Sequence, residues 1–333
     1  MPRASLVIPT RNRAPALART LTSFLGQRER DFEVVIVDDG SDDPTPEVVR
    51  GFASRLDLRY LRKAQRGIAA ARTAAMRAAR GDVLVQTDDD RLADPDFVGD
   101  HVAAHAAGGP WIIAGAQRAV LAEWSAEAQL PADAVATIVA RDPSLAPRLG
   151  APRAELISCA MLEADLAGTL VAHGQDEPWW LAASQPMVAR YGADLVGFAF
   201  PWALAIGGNT SVPRALAEQV DYLDEAFVGW GLEDTDFHYR LCQAGARVRV
   251  LDGGRSYHQL HRRGPELGRE WLRNAGRLLR KHASVELCIY IAALRRMTSI
   301  TAASELALLA AQAAPAIQAE LVAAHRELVA LVA

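Results

Sequence analysis

Residues 84–92 read LVQTDDDRL, an apolar run that ends in three consecutive aspartates, Asp88, Asp89 and Asp90. Adjacent carboxylates repel, and ionised acids near a core are costly unless a cation balances them. The acids either face water or hold a metal. Hard oxygen ligands suit Mg2+ or Mn2+ that also carries substrate phosphates. If the strand continues through them, alternation puts Asp88 and Asp90 on one side and Asp89 on the other. A second acidic pair, Asp38 and Asp39, ends FEVVIVDDGS. An acid there either accepts hydrogen bonds from a ribose or base or simply forms a turn. Gly67 opens a helical stretch with Arg72 five residues on, a combination that suits an anion. In FVGWGLEDTDFHYRL (227–241), Gly229 and Gly231 flank Trp230, and Glu233-Asp234 follow in the first turn of a helix. The helix dipole alone favours acids there. An aromatic on a glycine loop beside carboxylates can also cover a sugar's apolar face while an acid takes a hydroxyl proton. SYHQLHRR then brings His258 and His261, one of which could complete a metal shell.

These residues need a scaffold, and the hydrophobic pattern supplies one. SLVIPT (5–10), FEVVIVDDGS (32–41), DVLVQT (82–87) and WIIAGA (111–116) are continuous apolar runs, and LDLRYLR alternates. Between them, residues 14–27, 45–55, 67–80 and 95–107 read as helices, the third by strong propensity. Strand and helix in alternation predict a parallel sheet covered on both faces. Ligands of such sheets sit beyond the carboxyl ends of the strands. Pro9, Thr10, Asn12 and Arg13 lie there after the first strand, Asp38 and Asp39 after the second, and the three aspartates after the fourth. Residues 117–200 show no clean strand alternation and read as helical pieces around Trp179 and Trp180, either an insertion that could close over the acceptor side or plain helical packing. WALAIGGNTSV (202–212) reads as a strand, 233–244 as a helix, ARVRVLD (246–252) as a strand, and the chain after Pro265 as a helical tail for packing or dimerisation.

The chain of 333 residues is 50% hydrophobic and 23% charged, which suits one large α/β domain with an appendage. A net charge of −4 argues against nucleic acid as a partner. Cys159, Cys242 and Cys288 are scattered and give neither a disulfide framework nor zinc spacing. No stretch approaches the roughly 20 uncharged apolar residues of a membrane span, and the first apolar run is too short for a signal peptide. The expectation is a cytoplasmic protein, with peripheral membrane attachment left open.

LVIPTRNR, VVIVDDGSDD, GIAAARTAAMRAARGDVLVQTDDD, GGNTSVPR and DEAFVGWGLEDTDFHYRL, in this order and spacing, resemble glycosyltransferase family 2, inverting enzymes of the GT-A fold. The resemblance covers residues 3–116 and 202–262. It implies an α/β, Rossmann-like, mostly parallel sheet with helices on both faces, plus a helical insertion and a helical C-terminal tail. The implied domain is 1–263, with a nucleotide-binding half (1–116), the insertion (117–200) and an acceptor-binding half (201–263), followed by a helical extension, 264–333. The family pattern implies that Pro9, Thr10, Asn12, Arg13, Asp38 and Asp39 line the nucleoside pocket, with Gly67, Arg72, Asp88 and Asp89 near the nucleotide. Asp90, Asp88 and His258 match its metal-binding positions, for Mn2+ or Mg2+. Gly208 and Asn209 fall beside the donor sugar, Trp230 and Gly231 at an acceptor platform, and Glu233 at sugar hydroxyls. Asp234 falls at the catalytic base. The Gly-Trp-Gly block is similar to that of galactosyl- and N-acetylgalactosaminyl-transferring relatives. The implied reaction is direct displacement on a nucleoside-diphosphate sugar, with UDP as the expected carrier. The implied acceptor is a hydroxyl of a small molecule, peptide or glycan, and the tail could form a homodimer.

Three rivals share some of these residues. A sugar nucleotidyltransferase would need a glycine- and lysine/arginine-rich phosphate loop after the first strand, where PTRNRAPAL has no glycine. A non-catalytic sugar-binding protein would have no use for Asp88, Asp90, Asp234 and His258 together. A glycoside hydrolase would use two carboxylates but has no need of the nucleotide-side pattern.

Overall fold

The computed structural model describes residues 1–125, 132–141, 143–261, 266–295 and 299–332. The continuous apolar runs form strands buried on both faces. In chain order the strands are β1 (Ala4–Thr10), β2 (Phe32–Asp38), β3 (Leu58–Arg62), β4 (Val83–Thr87), β5 (Arg91–Ala93), β6 (Trp111–Ala114), β7 (Gln117–Val120), β8 (Glu123–Ser125), β9 (Arg153–Glu155), β10 (Gln175–Asp176), β11 (Asn209–Pro213), β12 (Arg247–Val250) and β13 (Ser256–Gln259). The helices are α1 (Ala14–Leu25), α2 (Thr45–Phe52), α3 (Ile68–Ala78), α4 (Phe97–His105), α5 (Ala132–Arg141), α6 (Cys159–Ala164), α7 (Leu166–His173), α8 (Pro178–Tyr191), α9 (Arg214–Gln219), α10 (Glu233–Gln243), α11 (Leu267–His282), α12 (Val285–Leu294), α13 (Ile300–Ala311) and α14 (Pro315–Val332).

Among the described residues, the main sheet has the order β12-β6-β11-β4-β1-β2-β3 and is parallel except for β11. Period-two alternation decides which helix each side chain meets. Leu6, Ile8, Val34 and Ile36 pack with Leu17, Leu21 and Phe24 of α1 and Phe97 and Val102 of α4. Val7, Val35 and Val37 pack on the other face with Ala71, Ala75 and Met76 of α3. That second core runs on through Phe237 and Leu241 of α10 into Leu279, Leu287, Tyr290 and Ala303. The helical tail therefore shares the core of the sheet.

A second sheet, β10-β7-β13-β5, lies beside the carboxyl edge of the first. Its strands are two to four residues long. The stretch 117–200 carries α5 to α8, as its helical reading expects, but also β7 to β10. Strands this short have no room to display alternation, so the sequence does not announce them. Residues 202–212, read as one strand, divide: a 3-10 turn spans Pro201–Leu204, and β11 starts only at Asn209. Pro201 favours that turn through its fixed φ. The expected boundary at 263/264 falls within 262–265, outside the described residues. No helix among the described residues is long and apolar enough to cross a membrane.

Candidate active site

The three aspartates lie in the turn between β4 and β5, past the point where strand alternation applies. Each takes a different direction. Asp89 turns inward, where Thr10 Oγ1 donates to its Oδ2 at 2.7 Å. Burial, reinforced by the charge of Asp90, pushes the Asp89 carboxyl up to about 8. Asp88 pairs with the guanidinium of Arg72. Asp90 faces His261 Nε2 at 3.1 Å and His258 Nε2 at 3.8 Å. Burial opposes ionisation of Asp90, but the hydrogen bond from His261 and the charges of His258, Arg91 and Arg13 outweigh it and hold Asp90 below the usual carboxylate range. The second sheet delivers the histidines: β13 runs antiparallel to β5 with His258 opposite Arg91, and Gln259 N–H donates to Asp90 O at 2.8 Å.

Asp90, His258 and His261 bring one ligand atom each to within 4.8 Å of one another. Burial lowers the His258 imidazole, which favours the neutral form a metal needs. One carboxylate and two imidazoles suit a first-row transition ion such as Mn2+ better than Mg2+, which prefers oxygen throughout. Arg13 Nη2 lies 3.1 Å from His261 Nε2 and its Nη1 3.4 Å from Asp90, so the guanidinium would have to yield to a cation. The cluster fits a divalent ion with His261 as a ligand. The sequence reading had placed Asp88 in that set.

The loops after β1, β2 and β3, where the nucleotide was expected, are stitched together. Asn12 adopts φ +53°, a left-handed conformation Asn tolerates. Its N–H donates to Ser41 Oγ at 3.0 Å, and its Oδ1 accepts from Asp42 N–H at 2.9 Å. Asp39 accepts the N–H groups of Arg66 and Gly67 at 2.7 and 2.8 Å, which fixes the approach to α3. Pro9 is buried in β1, beyond the last register pair with β4, so its missing N–H costs that ladder nothing.

Two expected ligand contacts are corrected. Asp38 is fully buried and takes Ser41 N–H at 2.7 Å and Tyr60 O–H at 2.5 Å, so it builds the turn and does not face a nucleoside. Asn209 is fully buried too: its Oδ1 meets His101 Nε2 at 2.9 Å and its Nδ2 donates to the carbonyls of Ala116 and Gly254. It locks the start of β11 and does not reach a donor sugar. Its neighbour Gly208 does sit at the site edge, where a Cβ would come within 2.7 Å of Asp88 Oδ2 and 3.0 Å of Arg91 Nε.

Helix α10 begins at Glu233, with Leu232 at φ +69° turning the chain into it. Asp234 Oδ2 accepts Gly207 N–H at 3.1 Å, and its Oδ1 accepts Thr235 N–H at 2.7 Å. Glu233 is buried 3.9 Å from Arg72 Nη1, and its Oε2 has no hydrogen-bond partner. Burial, with the charge of Asp234, pushes the Glu233 carboxyl up to about 8. Arg72, 1% exposed, thus stands between Asp88 and Glu233. Two residues after Asp234, the buried Asp236 receives His282 at 2.6 Å, Lys281 at 2.9 Å and Arg240 at 2.8 Å, which ties α10 to α11.

The tail also holds the Gly-Trp-Gly loop. Gly229 and Gly231 have φ +81° and +97°, conformations that favour glycine. Glu270 accepts Trp230 N–H at 2.9 Å, and Asn274 donates to Gly231 O at 2.8 Å. The Trp230 ring is 43% exposed. Of the other aromatic pair, Trp179 is 39% exposed but Trp180 is buried in the core, so only Trp179 could serve a lid.

Sequence reasoning missed two residues here, Arg91 and Glu177, and named His261 only as an alternative to His258. His261 was visible as the second member of His-x-x-His. Arg91 is 6% exposed with Nε and Nη1 unpartnered, positive charge held against Asp90. Glu177 lies against His258. The latter two signals exist only in three dimensions.

Residues 5–135 match the family model described as glycosyl transferase family 2, and residues 189–262 match that of the N-terminal domain of galactosyltransferase. Validoxylamine A glucosyltransferase of Streptomyces hygroscopicus subsp. jinggangensis (strain 5008) is 32% identical over 290 residues, 86% of this chain and 62% of that protein. The chain spans about three fifths of the length of three of the most similar curated relatives. S. aureus TarS 1–349 in complex with UDP-GlcNAc superposes with a TM-score of 0.53 at 16% identity, over 84% of this chain and 66% of that one. The mannosyltransferase PcManGT from Pyrobaculum calidifontis, in complex with GDP-Man and Mn2+, gives 0.51 at 21% identity over 100% of this chain and 76% of that one. These likenesses agree with a GT-A type fold.

Proposed function

We propose that the chain, whose residues 5–135 match the glycosyl transferase family 2 model, is an inverting glycosyltransferase that moves a sugar from a nucleoside-diphosphate donor to an acceptor hydroxyl. The observation that carries the reading is the hydrogen bond from Gly207 N–H to Asp234 Oδ2 at 3.1 Å. It joins a carboxylate on the acceptor side to the glycine pair that abuts Asp88 and Arg91. A base held there can take the proton of an acceptor hydroxyl as that oxygen attacks C1 of the donor sugar from the face opposite the leaving group. The C1–O bond to the diphosphate breaks in the same step, and the configuration at C1 inverts.

Asp90, His258 and His261 would hold a divalent cation, proposed as Mn2+, whose chemistry is to neutralise charge on the leaving diphosphate. Arg13 and Arg91 add fixed positive charge on that side. Glu233, protonated near neutral pH, can donate a hydrogen bond to a sugar oxygen. The exposed ring of Trp230 offers a flat apolar face to the acceptor. We divide the work between a donor half, 1–116, and an acceptor half, 201–263, to which α11 belongs in effect through its hold on Trp230.

UDP is the proposed nucleotide, by analogy with the TarS complex with UDP-GlcNAc. The GDP-Man complex of PcManGT makes GDP the arm to test against it. A thermal-shift panel of UDP, GDP and their sugars, each with and without Mn2+, decides. Ligand at about 100 times its dissociation constant should stabilise the fold by roughly 2.7 kcal/mol. A Mn2+-dependent shift with UDP supports the reading, a shift with GDP alone replaces the base, and no shift with any nucleotide removes the donor site.

A further inference from the structure

The proposed metal cluster rests on a histidine presenting the correct nitrogen, and nothing in the cluster itself fixes which one. On its far side His258 Nδ1 faces Oε2 of Glu177 at 3.6 Å. Glu177 is 5% exposed, and that oxygen has no hydrogen-bond partner. A buried carboxylate oxygen left without a donor is expensive and calls for an explanation. The second sheet supplies the geometry. Gln175 of β10, Ala119 of β7, His258 of β13 and Arg91 of β5 lie on one rung across four strands. Glu177 follows two residues after Gln175, in extended backbone at the N-cap of α8, so alternation returns its side chain to the face that carries that rung. The ion pair of Arg118 with Asp176, at 2.9 Å, pins β10 just before Glu177.

We propose that Glu177 is the positioning residue of the cation site: it accepts Nδ1–H of His258, so that Nε2 is left as a lone pair facing Asp90 and a divalent ion. A carboxylate behind a ligating imidazole fixes its tautomer and orientation and raises its basicity. The inference rests on the cation reading above and deepens it. It draws the segment before α8 into metal binding, so that the insertion carrying Trp179 acts on the donor side through Glu177.

The test is Mn2+ binding by the full chain, followed by the loss of the free-ion paramagnetic resonance signal, for wild type and the Glu177→Ala, Glu177→Gln and His258→Ala variants. Removal of such an outer partner should weaken Mn2+ about 10–100-fold in Glu177→Ala. Glu177→Gln keeps an acceptor oxygen and should recover most of that loss, a rescue that a merely structural role would not give at equal melting temperatures. Equal Mn2+ affinity in wild type and Glu177→Ala overturns the proposal. Wild type that binds no Mn2+ overturns the cation reading, and the proposal with it, whereas loss only in His258→Ala leaves the cation reading intact and removes Glu177. The imidazole 15N spectrum of the wild-type protein is independent of any folding defect: His258 should be the Nδ1–H tautomer, and Nε2–H as the dominant form overturns the proposal.

Discussion

The N–H of Trp230 donates to Oε2 of Glu270 at 2.9 Å, a contact between the loop before α10 and a helix forty residues later. The tail expected only to pack or dimerise thus shapes the proposed acceptor platform. Glu270→Ala removes a charge-assisted bond and frees the loop. The expected result is a fall in acceptor kcat/KM of about tenfold, or roughly 1.4 kcal/mol, with the donor dissociation constant unchanged. An equal loss in donor binding would show that α11 supports the whole site and not the loop.

His261 and Asp88 separate two roles that the sequence merged. His261 belongs to the proposed cation cluster, and Asp88 pairs with Arg72. His261→Ala should weaken Mn2+-dependent UDP binding at least about tenfold, since one of three protein ligands is gone. Asp88→Asn should leave Mn2+ binding within about threefold of wild type while lowering turnover. Calorimetric titration of Mn2+ into both variants discriminates, and the reverse ranking would restore Asp88 as the ligand.

Asp234→Asn keeps the acceptor oxygen for Gly207 N–H but cannot take a proton. Its kcat should fall about 10²–10⁴-fold, with donor binding near wild type by thermal shift. Turnover close to wild type would move the base elsewhere.

Glu233 has a sign that can be checked. Its carboxyl sits at about 8 in the folded protein against an ordinary 4.5, chiefly through burial. Between those values the folded protein keeps a proton that the unfolded chain has released, so its contribution to stability falls as pH rises through them and levels off above about 8. The Glu233→Gln variant has no proton to lose. Its melting temperature relative to wild type should therefore climb between about pH 5 and about pH 8.5, and a flat difference would mean that the carboxyl ionises normally. Activity should survive Glu233→Gln better than Glu233→Ala, because the amide can still donate.

Legibility followed length and locality. β1, β2 and β4 were plain because burial on both faces leaves an unbroken apolar run, and their ends predicted the polar edge. β5 and β13 were invisible, since three or four residues between polar turns carry no period, so the backbone pairing that sets His258 beside Asp90 was not read, although the family resemblance had put the two in one metal set. Alternation misassigned the aspartates because Asp88, Asp89 and Asp90 leave the strand at Thr87. Asp38 and Asn209 have ligand-binding residue types, but Tyr60 and His101 consume their oxygens, and those partners lie 22 and 108 positions away.

β11 pairs with β6 antiparallel, Thr210 opposite Ala114. Topologically the two strands are a single hairpin whose loop is the entire excursion from Gly115 to Gly208. Its two ends sit one rung apart, fixed by the sheet whatever lies between. Chain-closure entropy grows only with the logarithm of loop length, so the parts of this excursion outside the core can lengthen or shorten at little closure cost, while Trp180, Phe198, Phe200 and Trp202 are fixed by packing. The architecture is in this sense a socket: a graft that keeps β7, β10, Glu177 and the core residues of α8 could exchange the rest of the excursion without touching the proposed donor edge.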